Sequence, residues 1–197
     1  MARTKRKSKV LHSQQYFMIY VSGAYEEVYM TRLHILLHEQ CHVNLFVRCY
    51  DGGEDFGGGF EMLDKDLKSQ RVTKNLERAK AILIQGDMDV EAIIKRFSEF
   101  KQKAKTYQRT VHLIPSIRSF ESWVKAHFTL IANQDEIVNK ADIDKWIRGY
   151  SQSVDKAEQY FRKQMSLKQI MKAASQHTGN DSFHKFLEKL GVLDCIK

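Results

Sequence analysis

The sequence predicts an α/β fold in which a mostly parallel sheet is flanked by helices and followed by a helical extension. Short apolar runs rich in β-branched and aromatic residues alternate with helical periodicity as far as residue 115, and from residue 120 only helical periodicity follows. The 197 residues, 43% hydrophobic and 28% charged, suit a folded chain with a sizeable core. We expect a basic flexible arm over 1–14, an α/β domain over 15–135 and a helical C-terminal extension over 136–197.

The first two predicted strands are residues 16–22, which stop at Gly23, and residues 43–50. Between them, Tyr25, Tyr29, Leu33 and Leu36 recur at helical spacing and predict an amphipathic helix. Residues 52–59 then contain five of the ten glycines. This segment lacks the lysine of a P-loop and does not read GxGxxG, so a ligand-binding loop and a plain surface loop both stay open.

Residues 60–63, FEML, are predicted as the third strand and residues 110–115, ending at the only proline, as the fourth. Two helices are expected between them, separated by a break at Gly86 and Asp87. Apolar residues at helical spacing predict one buried face for each of these two helices and for three C-terminal helices, the last of which follows a break at Gly179 and Asn180. In chain order the faces are Leu76, Ala79 and Leu83; Val90, Ile93, Ile94 and Phe97; Ile143, Trp146, Ile147 and Tyr150; Val154, Ala157 and Phe161; and Phe183, Phe186, Leu187 and Leu190.

Charge and cysteine content narrow the class of protein. The net charge is +8, and the first nine residues carry five cations without an acid. Four of them, Arg3, Lys5, Arg6 and Lys7, are predicted nucleic-acid contacts, with a solubilising tail as the alternative. Three cysteines without a CxxC pair predict neither a disulfide framework nor a zinc site. No membrane span or signal peptide is recognisable, so we expect a cytoplasmic protein.

Two carboxylates one residue apart, Asp64 and Asp66, follow the predicted third strand. Ligands of parallel sheets gather at the carboxyl ends of the strands, and clustered carboxylates favour Mg²⁺ or Mn²⁺. Aspartate is equally common as a helix N-cap, here for a helix that would begin near Leu67. The spacing alone leaves a metal site and a cap open.

The MLDKDLKS segment, preceded by an apolar run, and the later IPSIRSFESWVKAHF segment together resemble the RloB family of Toprim-related proteins. The second segment supplies the family's phenylalanine-glutamate-x-tryptophan block with a histidine-phenylalanine pair one turn on. The resemblance extends over residues 16–130. The matching residues of the block are Phe120, Glu121, Ser122, Trp123, His127 and Phe128.

This resemblance implies a Toprim-like fold and a metal-dependent nuclease that acts as the effector of an anti-phage, abortive-infection system. It implies an ABC-type or AAA-type ATPase partner and hydrolysis of phosphodiester bonds in RNA, with tRNA as the expected substrate class, or in DNA. Asp64 and Asp66 would hold Mg²⁺ or Mn²⁺, and Glu121 would be a third ligand or a base. A carboxylate at a helix start capped by Ser119 is the alternative for Glu121.

One position departs from the family pattern. The family has Glu-Gly at the end of the first strand, whereas this chain has Ser22 before Gly23. A hydroxyl cannot replace a carboxylate in binding a metal or moving a proton at neutral pH. Either Glu26 or Glu27 serves as the acid or base, or the chain is a non-catalytic Toprim-like subunit that binds an ATPase or senses a phage product.

Further nucleic-acid contacts are expected at Lys65 and Lys68 beside the aspartates and at His127. For His127 a hydrogen-bonded, half-buried histidine is the alternative. The basic residues of the C-terminal helices form either a nucleic-acid groove or a solvated face. A plain nucleic-acid-binding module and a homo-oligomer both remain open.

Overall fold

The computed structural model describes residues 14–50, 56–88, 91–117, 119–129, 138–176 and 182–196. In chain order the elements are β1 (Gln15–Val21), α1 (Ala24–Cys41), β2 (Val43–Cys49), α2 (Phe56–Leu67), α3 (Gln70–Arg78), β3 (Ala81–Met88), α4 (Glu91–Lys105), β4 (Val111–Ile117), α5 (Phe120–Ala126), α6 (Lys140–Ile143), α7 (Val154–Gln164), α8 (Leu167–Gln176) and α9 (Ser182–Leu190).

Several sequence-based predictions concern positions outside the described residues. These positions are the basic arm with Arg3, Lys5, Arg6 and Lys7, residues 51–55 of the glycine-rich segment, Val90, and the break at Gly179 and Asn180.

The four described strands form one parallel sheet in the order β2-β1-β3-β4. This confirms the predicted α/β class with flanking helices. Helices lie on both faces, so residues 17–21 of β1 and 81–86 of β3 are buried, and the apolar residues in each form a continuous run. Alternate residues of β1 therefore serve two cores: Phe17, Ile19 and Val21 face α1 and the C-terminal helices, whereas Met18 and Tyr20 face α2, α3 and α4.

The predicted strand at residues 60–63 is wrong, because these residues lie inside α2. Phe56, Phe60 and Leu63 are fully buried at spacings of four and three, which is a helical period. Gly59 allows this helix to approach the sheet closely, since a Cβ there would lie 2.4 Å from Cγ2 of Ile84. The glycines just before FEML therefore belong to a packed helix rather than to a loop.

The third strand is instead β3, where the sequence predicted the end of a helix face at Leu83 and a break at Gly86 and Asp87. Ile82, Leu83 and Ile84 are each at most 1% exposed between β1 and β4. A strand buried on both faces lacks the alternation of apolar and polar residues that identifies a half-buried strand. The predicted helix with Ile93 and Phe97 is confirmed as α4.

Strand β4 continues through Pro115 instead of ending there. The carbonyl of Thr110 accepts from the N–H of Ile82, so residues 110, 112, 114 and 116 direct their backbone polar groups toward β3. Residues 111, 113, 115 and 117 therefore direct theirs away from the sheet. Proline is tolerated at an open edge because its missing N–H removes no bond between strands.

The C-terminal helices share the core of the α/β part. One continuous cluster joins Phe17 of β1 and Trp123 of α5 to Phe186 of α9. Helix α7 packs on α1, α8 on α5 and α9 on β4. The helical extension thus covers one face of the sheet.

No helix within the described ranges combines the length and the apolar character that crossing a lipid bilayer requires.

The cysteine pairing corrects the expectation that no disulfide would form. Cys41 at the end of α1 is bonded to Cys195 near the C-terminus, with their Cα atoms 5.7 Å apart and a sequence separation of 154. Cys49 lies outside this pair. A bond between such distant positions has no local spacing signature, so counting cysteines could not find it.

We predict that reducing this disulfide lowers the free energy of unfolding by about 5 kcal/mol, because closing a loop of this length strongly restricts the unfolded chain. Urea denaturation with and without dithiothreitol measures the difference, and Cys49→Ser is the control that should leave it unchanged. An identical midpoint in both conditions would contradict the bond.

Candidate functional site

The carboxyl ends of β1, β3 and β4 bring acidic side chains from three chain segments to one rim of the sheet. There they line a cavity of about 190 Å³. We call this cavity the carboxylate pocket; its lining residues are Ser22, Gly23, Ala24, Tyr25, Glu26, Asp87, Glu121 and Lys140. The geometry follows the rule that ligand sites of parallel sheets lie beyond the carboxyl ends of the strands.

Glu26 is the most perturbed acid of the pocket. It lies in the first turn of α1 and is only 8% exposed. Burial raises its pKa to about 7; the charge of Glu121 adds to the rise, while a backbone hydrogen bond and Lys140 oppose it. A Cβ at Gly23 would lie 2.8 Å from Oε2 of Glu26, so this side chain folds back over the helix start and would have to shift if residue 23 carried a side chain.

Glu121 is buried in the first turn of α5. Ser119 occupies the N-cap position, but its hydroxyl donates to the carbonyl of Val138 at 2.8 Å and caps no N–H of the helix. The Glu121 carboxylate therefore lies at a helix start, as one of the two sequence-based interpretations expected, and it also lines the carboxylate pocket. The helix-start position of Glu121 is thus observed without the predicted Ser119 cap, and its role as a metal ligand or base stays a prediction.

Asp87 was missed by the sequence analysis because β3 was taken for a helix and a break. Beneath it lies a buried amide: Nε2 of Gln85 donates to Oγ of Ser116 at 2.8 Å and to Oδ1 of Asp87 at 3.3 Å. Ser22 approaches Oε1 of the same amide through its backbone N–H and its hydroxyl. An acid three positions after the apolar run AILI was the available signal, and Asp89, two positions further on, lies outside the described residues.

A buried tyrosine hydroxyl lies near these acids. Tyr150 is fully buried, and among the described residues its hydroxyl has no hydrogen-bond partner. Burial raises the pKa of Tyr150 well above its usual value, and the charges of Glu121 and Glu26 raise it further. Its backbone carbonyl accepts from the hydroxyl of Tyr25 at 2.7 Å, and Nζ of Lys140 lies 4.2 Å from the Tyr25 ring centre.

Asp64 and Asp66 lie on α2, away from the carboxylate pocket, and have different partners. Arg48 donates to both oxygens of Asp66, at 3.0 and 2.9 Å, and the Tyr20 hydroxyl donates to it at 3.1 Å. Asp64 accepts from the Tyr107 hydroxyl at 2.7 Å. Residues two apart on a helix point in nearly opposite directions, so this geometry does not favour a shared metal ion.

The other predicted site residues are dispersed. Glu27 is half-buried outside the pocket lining, and its charge helps to raise the pKa of Arg48. Lys65 and Lys68 are exposed near the end of α2. Nε2 of His127 lies 2.8 Å from the Tyr29 hydroxyl within the core, so its environment is that of the hydrogen-bonded histidine.

The pocket suits a hard divalent cation in its donor chemistry. Its carboxylates are oxygen ligands, and the pKa of Glu26 is raised first by burial and further by the charge of Glu121. Within the part of the chain that is described, no group of three acidic, histidine or cysteine side chains is arranged to share one metal ion. Mg²⁺ commonly takes only one or two carboxylates and completes its shell with water and phosphate, so Glu26 and Glu121, whose charges act on each other, fit it in that form.

No protein-family model, curated protein or solved structure matches the chain. The resemblance to the RloB family therefore stays a prediction from the two motifs.

We predict that Glu26 makes stability fall as pH rises. The folded state keeps the proton up to a pH of about 7, whereas the unfolded chain loses it near 4.5, so the folded state binds more protons between these values. Because each pKa unit corresponds to about 1.4 kcal/mol, the loss across this window is about 3 kcal/mol. Urea denaturation from pH 4.5 to 8 should show it in the wild type and not in Glu26→Gln.

We predict that Asp66→Asn lowers the free energy of unfolding by about 1 to 3 kcal/mol, since it removes the charge that Arg48 and Tyr20 share in a buried setting. Asp64→Asn is the matched control, because its side chain is 46% exposed and should change stability by less than about 1 kcal/mol. Equal effects in urea denaturation would contradict the difference between the two aspartates.

Proposed function

We propose that the protein is a divalent-metal-dependent phosphodiesterase that acts on nucleic acid in the carboxylate pocket. The observation that carries the proposal is the convergence of Glu26, Asp87 and Glu121 at the carboxyl ends of three parallel strands, with the pKa of Glu26 near neutrality. A carboxyl group with a pKa near 7 can take or give a proton at neutral pH, as a general acid or base requires.

The surroundings of the pocket suit a phosphate group. Helix α1 begins at the pocket, so its positive end adds to the potential there, and the Glu26 carboxylate accepts a backbone hydrogen bond at this helix start. Lys140, which also lines the pocket, adds a cation. Together they would orient an anionic substrate against Glu26.

A bound Mg²⁺ or Mn²⁺ would neutralise the phosphate and activate water for attack on phosphorus. Glu26 and Glu121, whose charges act on each other, are the residues that would hold it, with Asp87 beside them in the pocket lining. In this proposal they take the metal-binding role that was predicted for Asp64 and Asp66. Asp64 accepts a hydrogen bond from Tyr107 instead, and Asp66 accepts from Arg48.

The biological setting proposed here rests on the resemblance to the RloB family. It comprises a cytoplasmic anti-phage effector controlled by an ABC-type or AAA-type ATPase, with RNA, and tRNA in particular, as the substrate. The two motifs supply its only support.

A second candidate is a non-catalytic subunit that binds the ATPase or senses a phage product. Ser22 favours it, because a hydroxyl directed at the Gln85 amide stands where the family has its catalytic glutamate.

We predict that Mn²⁺ and Mg²⁺ bind the wild type with release of protons, since the metal requires ionised Glu26. Calorimetry at pH 6.5 in two buffers of different ionisation enthalpy measures both events. Glu26→Gln and Glu121→Gln should weaken binding at least tenfold, whereas Asp64→Asn should bind as the wild type does.

Cleavage of labelled tRNA and single-stranded DNA, with Mg²⁺ and with EDTA, then tests the activity. The pocket variants should lose at least a hundredfold in rate and Asp64→Asn less than threefold. If Asp64→Asn abolishes metal binding while the pocket variants retain it, the metal site lies on α2 and the proposal is wrong.

We predict that Ser22→Glu separates the two candidates. An active wild-type pocket should cleave less well after the change, because a fourth carboxylate crowds it and the contacts of Ser22 with Gln85 are lost. Gain of cleavage by the variant from an inactive wild type would favour the non-catalytic subunit. The measurement is the tRNA cleavage rate of both proteins at equal metal concentration.

A further inference from the structure

The open edge of β4 forms the floor of a groove of about 650 Å³ at the strand's amino-terminal half. Its floor includes Val111 and Leu113, and it is bordered by α4 on one face of the sheet and by α9 on the other. The carboxylate pocket lies at the opposite end of the strands, so the groove is a separate surface. We refer to it as the edge groove.

Backbone groups of the groove floor point away from the sheet. Because residues 110 and 112 direct their N–H and C=O toward β3, Val111 and Leu113 direct theirs into the groove. No backbone bond to these two residues from outside the sheet occurs within the described residues. Two N–H donors and two C=O acceptors thus stand in the register that a further β-strand requires.

The walls of the groove carry only positive charge. The cations are Lys101 and Lys105 of α4, Arg109 before the strand, and Lys189 of α9, with no acid among the lining residues. Within the described part of the chain no carboxylate lies at ion-pairing distance from these four. Burial lowers the pKa of His112 below its usual value, and the charge of Lys189 lowers it further. The charge of Lys189 therefore acts on another residue that lines the groove.

Side chains of an added strand would alternate between the two faces of the sheet, and both faces offer cations at this edge. The apolar portions of Phe97 and Leu113 supply surface for the side chains between the charges. The groove ends at Pro115, whose missing N–H stops the hydrogen-bond ladder. A short extended peptide matches this combination.

We propose that the edge groove binds an acidic peptide segment of a partner protein as an added β-strand next to β4. Main-chain bonds to Val111 and Leu113 supply the register, and the lysines select for acidic side chains. A nucleic-acid backbone would satisfy the cations but would leave the strand's N–H and C=O groups without a matching ladder. The inference does not depend on catalysis in the carboxylate pocket.

The test uses a blocked, fluorescein-labelled peptide of alternating glutamate and valine with the full-length protein, followed by fluorescence anisotropy at low salt. Lys101→Glu with Lys105→Glu should weaken binding at least tenfold, and Lys74→Glu, an exposed lysine on α3, should change it less than twofold. A peptide N-methylated at alternate residues should also bind at least tenfold more weakly, since it cannot complete the ladder. The amides of Val111 and Leu113 should become protected from hydrogen exchange in the complex.

Three outcomes would overturn the proposal. One is the absence of binding by the acidic peptide at millimolar concentration. Another is equal binding of the N-methylated peptide, which would leave charge attraction alone. The third is tighter binding of a labelled oligouridylate that displaces the peptide without protecting the amides of Val111 and Leu113, which would assign the groove to nucleic acid.

Discussion

The common direction of the four strands is the constraint on which the rest of the structure depends. Parallel strands need crossover helices, which cover both faces of the sheet and bury residues 17–21 of β1 and 81–86 of β3. The same polarity places every strand's carboxyl end at one rim, where the chain must leave the core and can expose polar side chains. The convergence of Glu26, Asp87 and Glu121 follows from this topology, although they lie far apart in sequence.

Burying the ionised carboxylate of Glu26 costs free energy, and neighbouring groups reduce that cost. Desolvation raises its pKa to about 7, while the helix start and Lys140 partly offset the effect. Asp66 is buried to a similar degree, but Arg48 neutralises it through two hydrogen bonds. Two buried acids thus reach different outcomes because of their partners: one is held in an ion pair, and the other stands near the point of protonation, where it is chemically useful.

The sequence was sufficient for the fold class, for β1, β2 and α1, and for the helical C-terminal part, because these segments carry clear periodicity or are bounded by glycine. It failed where a short apolar run fits two structures. FEML and AILI look alike as runs, yet FEML belongs to the helical period of Phe56, Phe60 and Leu63, and AILI is a central strand. Because FEML was taken for the third strand in place of AILI, the acids expected at the end of that strand were Asp64 and Asp66 instead of Asp87. Glu26 and Glu121 were named because the family resemblance and the expected sheet rim pointed to acids there. The ion pair of Asp66 with Arg48, the disulfide and the position of Tyr150 depend on contacts between distant segments.

The two edge strands of the sheet, β2 and β4, differ in whether their outward backbone groups are hydrogen-bonded by described residues of the chain. At β2 the outward N–H of Leu45 is capped by Nδ1 of His34 at 3.1 Å, so part of that edge is satisfied within the chain. At β4 no described residue caps the outward groups of Val111 and Leu113, and the cations that border them discourage pairing with a second copy of the same basic edge, since like charges would meet across it. A basic edge strand that repels a second copy of itself, and that presents N–H and C=O groups for a further strand, would select a strand of opposite charge. Its distance from the carboxylate pocket would let a bound partner act on the sheet without occupying the pocket.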